Sequence, residues 1–214
     1  MFDAVIDTVL RLAGPDESDA LVGLLTSTTE DPFLRWFGGE AGADASALRA
    51  LLATDVAATL ASGFIGVAVH GTDILAAALW TIHPVRAGVL AGSLRPHHRG
   101  LIAERLRRLQ LLAEVRRPAT PHHQLGLVVV QPNLRGHGLG ALLLRGQHEY
   151  LDDIGLGAYA VTVDGSRRRL LLRCGYSDIG APQLLPGATP VWSMWRPPKT
   201  DRKDVRAGVP MDSL

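Results

Sequence analysis

Cysteine is nearly absent from this 214-residue sequence, in which Cys174 is the only one. A single cysteine excludes an internal disulfide and any zinc site built on several cysteines. Aromatic residues make up only 5% of the chain, and the formal net charge is +1, so no excess charge of one sign indicates nucleic acid or an acidic membrane as a partner. No apolar run is long enough to span a bilayer, and residues 1–4 lack the basic start of a signal peptide. We therefore expect a cytoplasmic protein that binds neither nucleic acid nor membranes.

Strand and helix signals alternate along the chain, which is 47% hydrophobic and can bury a full core. Apolar segments 64–69 and 74–80 flank the turn 70–73, which predicts an antiparallel hairpin. Helices are expected at 18–25, 47–60, 101–115, from 139 and at 167–174, and further strands at 5–12, 125–130, 158–163 and 191–196. The alternation predicts one α/β domain over residues 1–196, with a mixed, mostly antiparallel central sheet and helices on both faces. Residues 197–214 are predicted to be a disordered tail.

The most informative segment is residues 128–144, VVVQPNLRGHGLGALLL. A β-branched run stops at Pro132, a glycine-rich turn follows, and an apolar helical pattern then begins. This order directs backbone N–H groups and the positive end of a helix dipole at one point, which attracts an anion such as phosphate. The glycines could instead only close a tight turn. Arg135 and His137 add basic side chains there, which favours phosphate binding.

Three phosphate-binding loops compete for this segment. A P-loop needs a lysine and a hydroxyl residue after its last glycine, but Gly140 is followed by Ala141 and Leu142. A dinucleotide fingerprint has a different glycine spacing, although Asp164 after the next predicted strand keeps an NAD-type oxidoreductase as an alternative. The third form is Arg135-x-x-Gly138-x-Gly140, preceded by a strand that ends before Pro132.

This third form resembles the pyrophosphate loop of the GNAT superfamily of N-acetyltransferases. Other segments are similar to a bacterial subgroup of that superfamily: 31–36, 77–80, 122–132 and 191–196. The resemblance implies a single-domain GNAT-like fold. It also implies an acetyl-CoA-dependent N-acetyltransferase that moves an acetyl group directly to a primary amine.

The resemblance also implies where coenzyme A binds. Backbone amides would hold the pyrophosphate, and the preceding strand would pair with the pantetheine arm while one of its N–H groups meets the acetyl carbonyl. The implied loop residues are Arg135, Gly136, His137, Gly138, Leu139 and Gly140, and the implied strand residues are Val128, Val129 and Val130. Arg167, followed by Arg168 and Arg169, either reaches the phosphates of the cofactor or belongs to a solvated basic face.

The proton-transfer groups depart from the family pattern. The usual tyrosine acid falls on Leu171, the usual asparagine falls near Arg167, and the strand carboxylate that many relatives use is missing. His122 and His123 are candidates for the base, since a neutral imidazole suits that role, although both could be ordinary hydrogen-bonded histidines. Successive strand residues point to opposite faces, so at most one of them faces the cleft. Further candidates are His83 and Glu114 as bases and Cys174 as an acid, whereas Tyr176 is expected to pack its ring.

The acceptor region in relatives corresponds here to a segment with Asp31, Phe33, Trp36 and Phe37. An acid among aromatic rings suits a small amine, and aromatic core packing explains the same residues. A non-catalytic acyl-CoA-binding or regulatory domain stays open as an alternative because of Leu171. No histidine spacing, including that of His97 and His98, indicates a metal site, and the tryptophans of the last strand could lie in the core or in a homodimer interface.

Overall fold

The computed structural model describes residues 7–27, 45–83, 101–185 and 189–199. Its strands are β1 (Val9–Leu12), β2 (Gly63–His70), β3 (Asp73–His83), β4 (His122–Val130), β5 (Gly157–Thr162), β6 (Ser177–Asp178), β7 (Gln183–Leu185) and β8 (Thr189–Arg196). Its α-helices are α1 (Ser18–Ser27), α2 (Ala45–Ser62), α3 (Leu101–Val115), α4 (Leu139–Asp153) and α5 (Gly165–Arg173). None of these helices is long and apolar enough to cross a membrane.

The described strands form one sheet in the order β1-β2-β3-β4-β5-β8-β6, with β7 pairing β8 beside it. Among these strands only β4 and β5 are parallel neighbours, and every other pair is antiparallel. The predicted hairpin is present as β2 and β3, with Gly71 in the turn at a φ of 58°. The predicted mixed, mostly antiparallel sheet is therefore confirmed.

Helices cover both faces of the sheet, as predicted. Residues of α1, α2 and α3 pack on one side, here called the α1–α3 face, and residues of α4 and α5 pack on the other, here called the α4–α5 face. A strand buried on both sides needs apolar residues at nearly every position. This explains why β2 and β3 show continuous apolar runs in the sequence instead of alternation.

The central strand β4 is irregular at Gly126. Leu127 lies opposite Leu79 and Leu125 lies opposite Trp80, so Gly126 is an extra residue on the β4 side. Such a bulge changes which face the following side chains take. As a result Leu125 packs on the α4–α5 face, whereas Leu127 packs on the α1–α3 face.

Pairing between β4 and β5 ends next to the bulge at Gly126. The last paired residues are Leu125 and Ala160, so residues 126–130 of β4 continue without β5 beside them. We call this gap the β4–β5 opening. Two central strands that separate leave backbone groups available for another partner.

Some predicted element bounds are wrong, and some predicted segments lie outside the described residues. The short strands β6 and β7 were not predicted, and β3 extends to His83, three residues beyond the predicted end. The predicted loop at 84–99 and the aromatic segment around Trp36 lie outside the described residues, as does most of the predicted tail. The first tail residues are described, and the Lys199 N–H donates to Asp152 Oδ1 at 2.8 Å.

Candidate active site

The glycine-rich loop connects the end of β4 to the start of α4. A 3-10 turn at Pro132–Leu134 is followed by Gly136 and Gly138, whose φ angles of 82° and 88° lie in the region that favours glycine. Gly138 is the N-cap of α4, and no side chain caps this helix end. The first N–H groups of α4 therefore have no capping acceptor, and residues 135–138 are exposed to solvent.

Gly140 serves a different purpose from the two glycines before it. A Cβ at this position would lie 3.3 Å from Leu170 Cδ2 and 3.7 Å from Val130 Cγ2. The missing side chain thus lets the first turn of α4 lie close to β4 and α5. The loop is also braced from within, because the His137 Nδ1–H donates to the Arg135 carbonyl at 3.0 Å.

The backbone of β4 presents alternate residues to the opening. The Gln131 N–H donates to Leu75 O at 2.9 Å, so position 131 faces β3. In an antiparallel ladder, hydrogen-bonded positions alternate. The N–H and C=O groups of Val129 therefore also face β3, whereas those of Val128 and Val130 face away from β3 into the opening.

The structure thus brings two of the three predicted strand residues to the opening. Val128 and Val130 have their backbone there, next to the first turn of α4. Val129 pairs with Ala77, and its side chain packs on the α1–α3 face. Its main chain belongs to the β3–β4 ladder and does not face the opening.

Arg167 lies in the opening and not at the exposed loop. Its side chain is buried, with the residue only 7% exposed, and Nη2 donates to the Val128 carbonyl at 3.3 Å. The other two arginines of the run lie elsewhere. Arg168 forms an ion pair with Asp178, with Nε 3.0 Å from Oδ1, and Arg169 is exposed and donates to Ser166 Oγ.

Asp164 fixes the start of α5. Its carboxylate accepts hydrogen bonds from Ser166 N at 2.9 Å and from Arg167 N at 3.1 Å, which is N-capping geometry. This is the carboxylate on which the NAD alternative depended. Its oxygens are used by the helix, and the sheet around it is mostly antiparallel, so the observation that motivated that alternative has a structural explanation.

His122 faces the α1–α3 side of the sheet. Its Nδ1–H donates to the Thr120 carbonyl at 2.7 Å, so Nε2 carries the lone pair, and that buried atom has no hydrogen-bond partner. The ring stacks on His83 with centroids 5.1 Å apart and meets Tyr159 and Trp195 edge-on. Burial lowers the pKa of His122, which keeps the imidazole neutral near pH 7.

His123 faces the opposite side. Its ring contacts Phe64 at a centroid distance of 5.4 Å, and Nδ1 lies 3.3 Å from Gln147 Nε2 on α4. The two histidines therefore point to different faces, as the alternation of strand side chains predicts. Both lie in the part of β4 that is still paired with β5, since His122 pairs with Gly157.

A glycine on β5 makes room for the rings around His122. A Cβ at Gly157 would lie 2.2 Å from Trp195 Cη2, so the indole occupies the space beside the strand where a side chain would be. The neighbouring Tyr159 is held by its hydroxyl, which donates to the Ala113 carbonyl at 2.8 Å. His122 is thus enclosed by aromatic rings and is only 1% exposed.

Gln124 was not predicted as a site residue from the sequence. This residue lies two positions after His122 on the same face of β4, one residue before the last pair with β5. Its side-chain oxygen Oε1 is buried and accepts no hydrogen bond. A polar residue at the second position after a candidate base, inside an otherwise apolar strand, was the signal that could have indicated it.

Comparisons with known proteins identify the fold. No protein-family model and no curated protein matches the sequence significantly. Among solved structures, a Corynebacterium glutamicum protein described as histone acetyltransferase HPA2 and related acetyltransferase matches with a TM-score of 0.66 and 21% identity, over 92% of this chain and 99% of that chain. The fold is that of the acetyltransferases.

Two animal enzymes share this acetyltransferase fold. Arylalkylamine N-acetyltransferase 2 from Aedes aegypti matches with a TM-score of 0.65 and 14% identity, over 90% of this chain and all of that chain (100%). The polyamine N-acetyltransferase of Drosophila melanogaster, which forms N-acetylagmatine, matches with a TM-score of 0.63 and 20% identity, over 88% and 97%. Identities this low establish the fold alone.

The other residues considered for proton transfer are hydrogen-bonded, ion-paired or buried, and the leucine at position 171, where the resemblance places an acid, is buried as well. Leu171 is 0% exposed, and the Tyr176 hydroxyl lies 3.1 Å from His148 Nε2 beneath α4. Burial raises the pKa of the Cys174 thiol, which makes it a poor acid, and burial lowers the pKa of His83 to about 4. Glu114 forms an ion pair with the Arg117 side chain.

Metal-binding side chains do not gather within the described ranges. No group of three or more histidine, cysteine, aspartate or glutamate residues there could hold a metal ion. His97 and His98 lie outside those ranges.

Proposed function

We propose that this protein is an acetyl-CoA-dependent N-acetyltransferase of the GNAT superfamily, within the bacterial subgroup that its segments resemble, and that it transfers acetyl directly to a primary amine of a small molecule. One observation carries the proposal. The outward-facing backbone of Val128 and Val130 leads straight into a glycine loop and an uncapped helix N-terminus. Such an arrangement suits a ligand that is strand-like at one end and carries phosphates at the other.

The residues present fit acetyl-CoA. The amides from Arg135 to Gly140 would hold the pyrophosphate, helped by the basic side chains of Arg135 and His137, and residues 135–138 of this loop are exposed. Val128 and Val130 would pair with the pantetheine arm, and Val129 would support them through its pairing with β3. Acetyl-CoA supplies an activated acetyl group as a thioester, and an outward N–H of β4 is a donor for its carbonyl oxygen.

The proposed base is His122. Gly140, Leu170 and the Arg167 side chain line the α4–α5 side of the opening, and we propose that the amine approaches from the α1–α3 side. On that side His122 Nε2 is a neutral, unpaired proton acceptor. Gln124, whose Oε1 also has no hydrogen-bond partner, lies along β4 between His122 and the opening. We propose that Gln124 accepts a hydrogen bond from the amine and that a proton passes to His122, while His123 only packs against α4.

The proposed acceptor is a small amine. Its support is the chemistry of the proteins that share the fold, which include enzymes acting on polyamines and arylalkylamines. Neutral acceptors among aromatic rings also suit an amine that carries an apolar group. Asp31, Phe33, Trp36 and Phe37, which the resemblance assigns to acceptor binding, lie outside the described residues.

A calorimetric titration with acetyl-CoA tests the cofactor site. Wild type is expected to bind, and Gly138→Trp is expected to lose binding because the new ring obstructs the loop. Gly71→Trp is the matched control, since Gly71 also has a positive φ and open space around it but lies in the β2–β3 turn. Absence of binding by wild type, or equal binding by Gly138→Trp, contradicts the proposal.

A non-catalytic acyl-CoA-binding or regulatory domain is the second candidate. The complete burial of Leu171, at the position where relatives carry a proton donor, favours it. Thiol release from acetyl-CoA separates the two functions. Thiol release that depends on a polyamine, agmatine or an arylalkylamine supports the enzyme. Binding of acetyl-CoA with no thiol release in the presence of any of these amines supports the regulatory domain.

A further inference from the structure

Arg167 places a permanent positive charge inside the β4–β5 opening. Guanidinium groups stay protonated at every pH at which proteins function. The Arg167 side chain is buried and donates to Val128 O, two residues beyond the bulge at Gly126. Asp164 caps the start of the helix through the Arg167 N–H, and the bond to Val128 O holds the guanidinium at the opening.

The buried face of α5, which carries Arg167, has no proton donor. Arg167 and Leu171 are the two buried residues of α5, and they lie one helical turn apart on one face. A leucine cannot protonate a leaving group. A cation therefore lies one turn from the position where the fold family carries an acid.

We propose that the Arg167 guanidinium stabilises the coenzyme A thiolate as it leaves, so that no proton donor is needed at position 171; this inference rests on the proposed acetyl transfer. The amine nitrogen forms a bond to the thioester carbonyl carbon. The carbon–sulfur bond breaks, and its electron pair goes to sulfur. The proton of the amine goes to the base, and sulfur departs as an anion beside the guanidinium.

Other described groups near α5 are less suited to this task. Arg168 is bound to Asp178 and lies over the Trp192 ring, with Cζ 5.5 Å from the ring centroid. Tyr176 is hydrogen-bonded to His148, and the thiol of Cys174 is made a weaker acid by burial. Arg167 is thus the basic side chain of α5 that lies at the opening.

The test measures the ionisation of bound coenzyme A directly. Titration of the wild-type complex is followed by the ultraviolet absorption of the thiolate, with free coenzyme A measured alongside. The bound thiol is expected to have a pKa about 1 to 3 below that of the free thiol, as for an acid beside an arginine. Arg167→Met is expected to remove this difference and to lower kcat about 100-fold, whereas Arg167→Lys keeps most of it.

Arg173→Met is the matched control, because Arg173 is an exposed arginine in the last turn of the same helix. It is expected to change neither the thiol pKa nor kcat. A wild-type complex whose thiol ionises at or above the pKa of free coenzyme A overturns the inference even if Arg167→Met fails to bind. Failure of wild type to bind coenzyme A at all overturns the proposed function instead, and the inference with it.

Discussion

His122 and His123 are neighbours in the chain but belong to opposite sides of the molecule. His122 has an unpaired Nε2 on the α1–α3 face, and His123 lies against α4. We expect His122→Gln to lower kcat by at least about 100-fold, the usual range for loss of a general base, with the Kd of acetyl-CoA unchanged. His123→Gln is its matched control and is expected to change kcat only a few-fold.

Steady-state thiol release together with acetyl-CoA titration checks this prediction. Equal losses in the two variants would show that neither imidazole is the base. A loss of acetyl-CoA affinity in His122→Gln would indicate damage to the sheet and not to proton transfer. The distinction matters because His122 lies in the paired part of β4 and not in the opening itself.

The orientation of some site residues could be predicted from the sequence, and that of others could not, for a physical reason. The alternation of strand side chains predicted that the two histidines would diverge, because that alternation is a local property of the backbone. The position of the Arg167 guanidinium is not local: a long side chain takes its direction from the elements packed around it. The unpaired oxygen of Gln124 depends in the same way on neighbours distant in the chain.

At the scale of the elements, strand β5 requires a glycine at position 157. A Cβ at Gly157 would lie 2.2 Å from Trp195 and 2.9 Å from the Arg196 carbonyl, so either the indole or strand β8 must move. We expect Gly157→Ala to lower the free energy of unfolding by about 3 kcal/mol. Gly126→Ala is the control in the neighbouring strand, where the nearest atom to a Cβ is Leu79 O at 3.7 Å, and we expect less than about 1 kcal/mol.

Urea unfolding of the two variants measures this difference. Similar losses for Gly157→Ala and Gly126→Ala would show that the Trp195 ring is free to shift at little cost. A large loss for Gly126→Ala alone would mean that the bulge, and not the close contact beside β5, is the sensitive point.

The strand, loop and helix around the glycine motif were predicted because each has a strong local signal. The apolar run, the glycines and the helical period mark residues 128–144 without any knowledge of tertiary structure. The bulge at Gly126 was not predicted, and the separation of β4 from β5 was implied only by family resemblance. They arise from the register between strands, which local patterns do not report. Strands β6 and β7 were missed because two or three residues carry no measurable period.

At the scale of the whole molecule, buried histidines link folding to pH. Burial lowers the pKa of His148 to about 3 and that of His83 to about 4, and it also lowers the pKa values of His122 and His123. An unfolded histidine titrates near 6.5, so between these values the unfolded chain binds more protons than the folded chain. The free energy of unfolding is therefore expected to fall as the pH drops below about 6.5, by about 1.4 kcal/mol per pH unit for each of His148 and His83, and His122 and His123 act in the same direction.

Urea unfolding at several pH values between about 5 and 7.5 checks the slope. His148→Gln is expected to reduce it by about 1.4 kcal/mol per pH unit, while a glutamine can still bond the Tyr176 hydroxyl. Gly126→Ala, which changes no titratable group, is the control and is expected to leave the slope unchanged. A stability that stays constant over this pH range would contradict the assignment of neutral, buried imidazoles.

Because of the opening beside β4, neighbouring amide groups of this strand have different surroundings. Val129 N–H is committed to β3, whereas the N–H groups of Val128 and Val130 face away from that ladder. In deuterated water the amide hydrogens of Val128 and Val130 should therefore exchange quickly and that of Val129 slowly, although all three residues are adjacent in a central strand. The sheet thus lacks a hydrogen-bonding partner along this part of β4. A ligand that slows the exchange of the Val128 and Val130 amide hydrogens would be one that pairs with β4 at the opening.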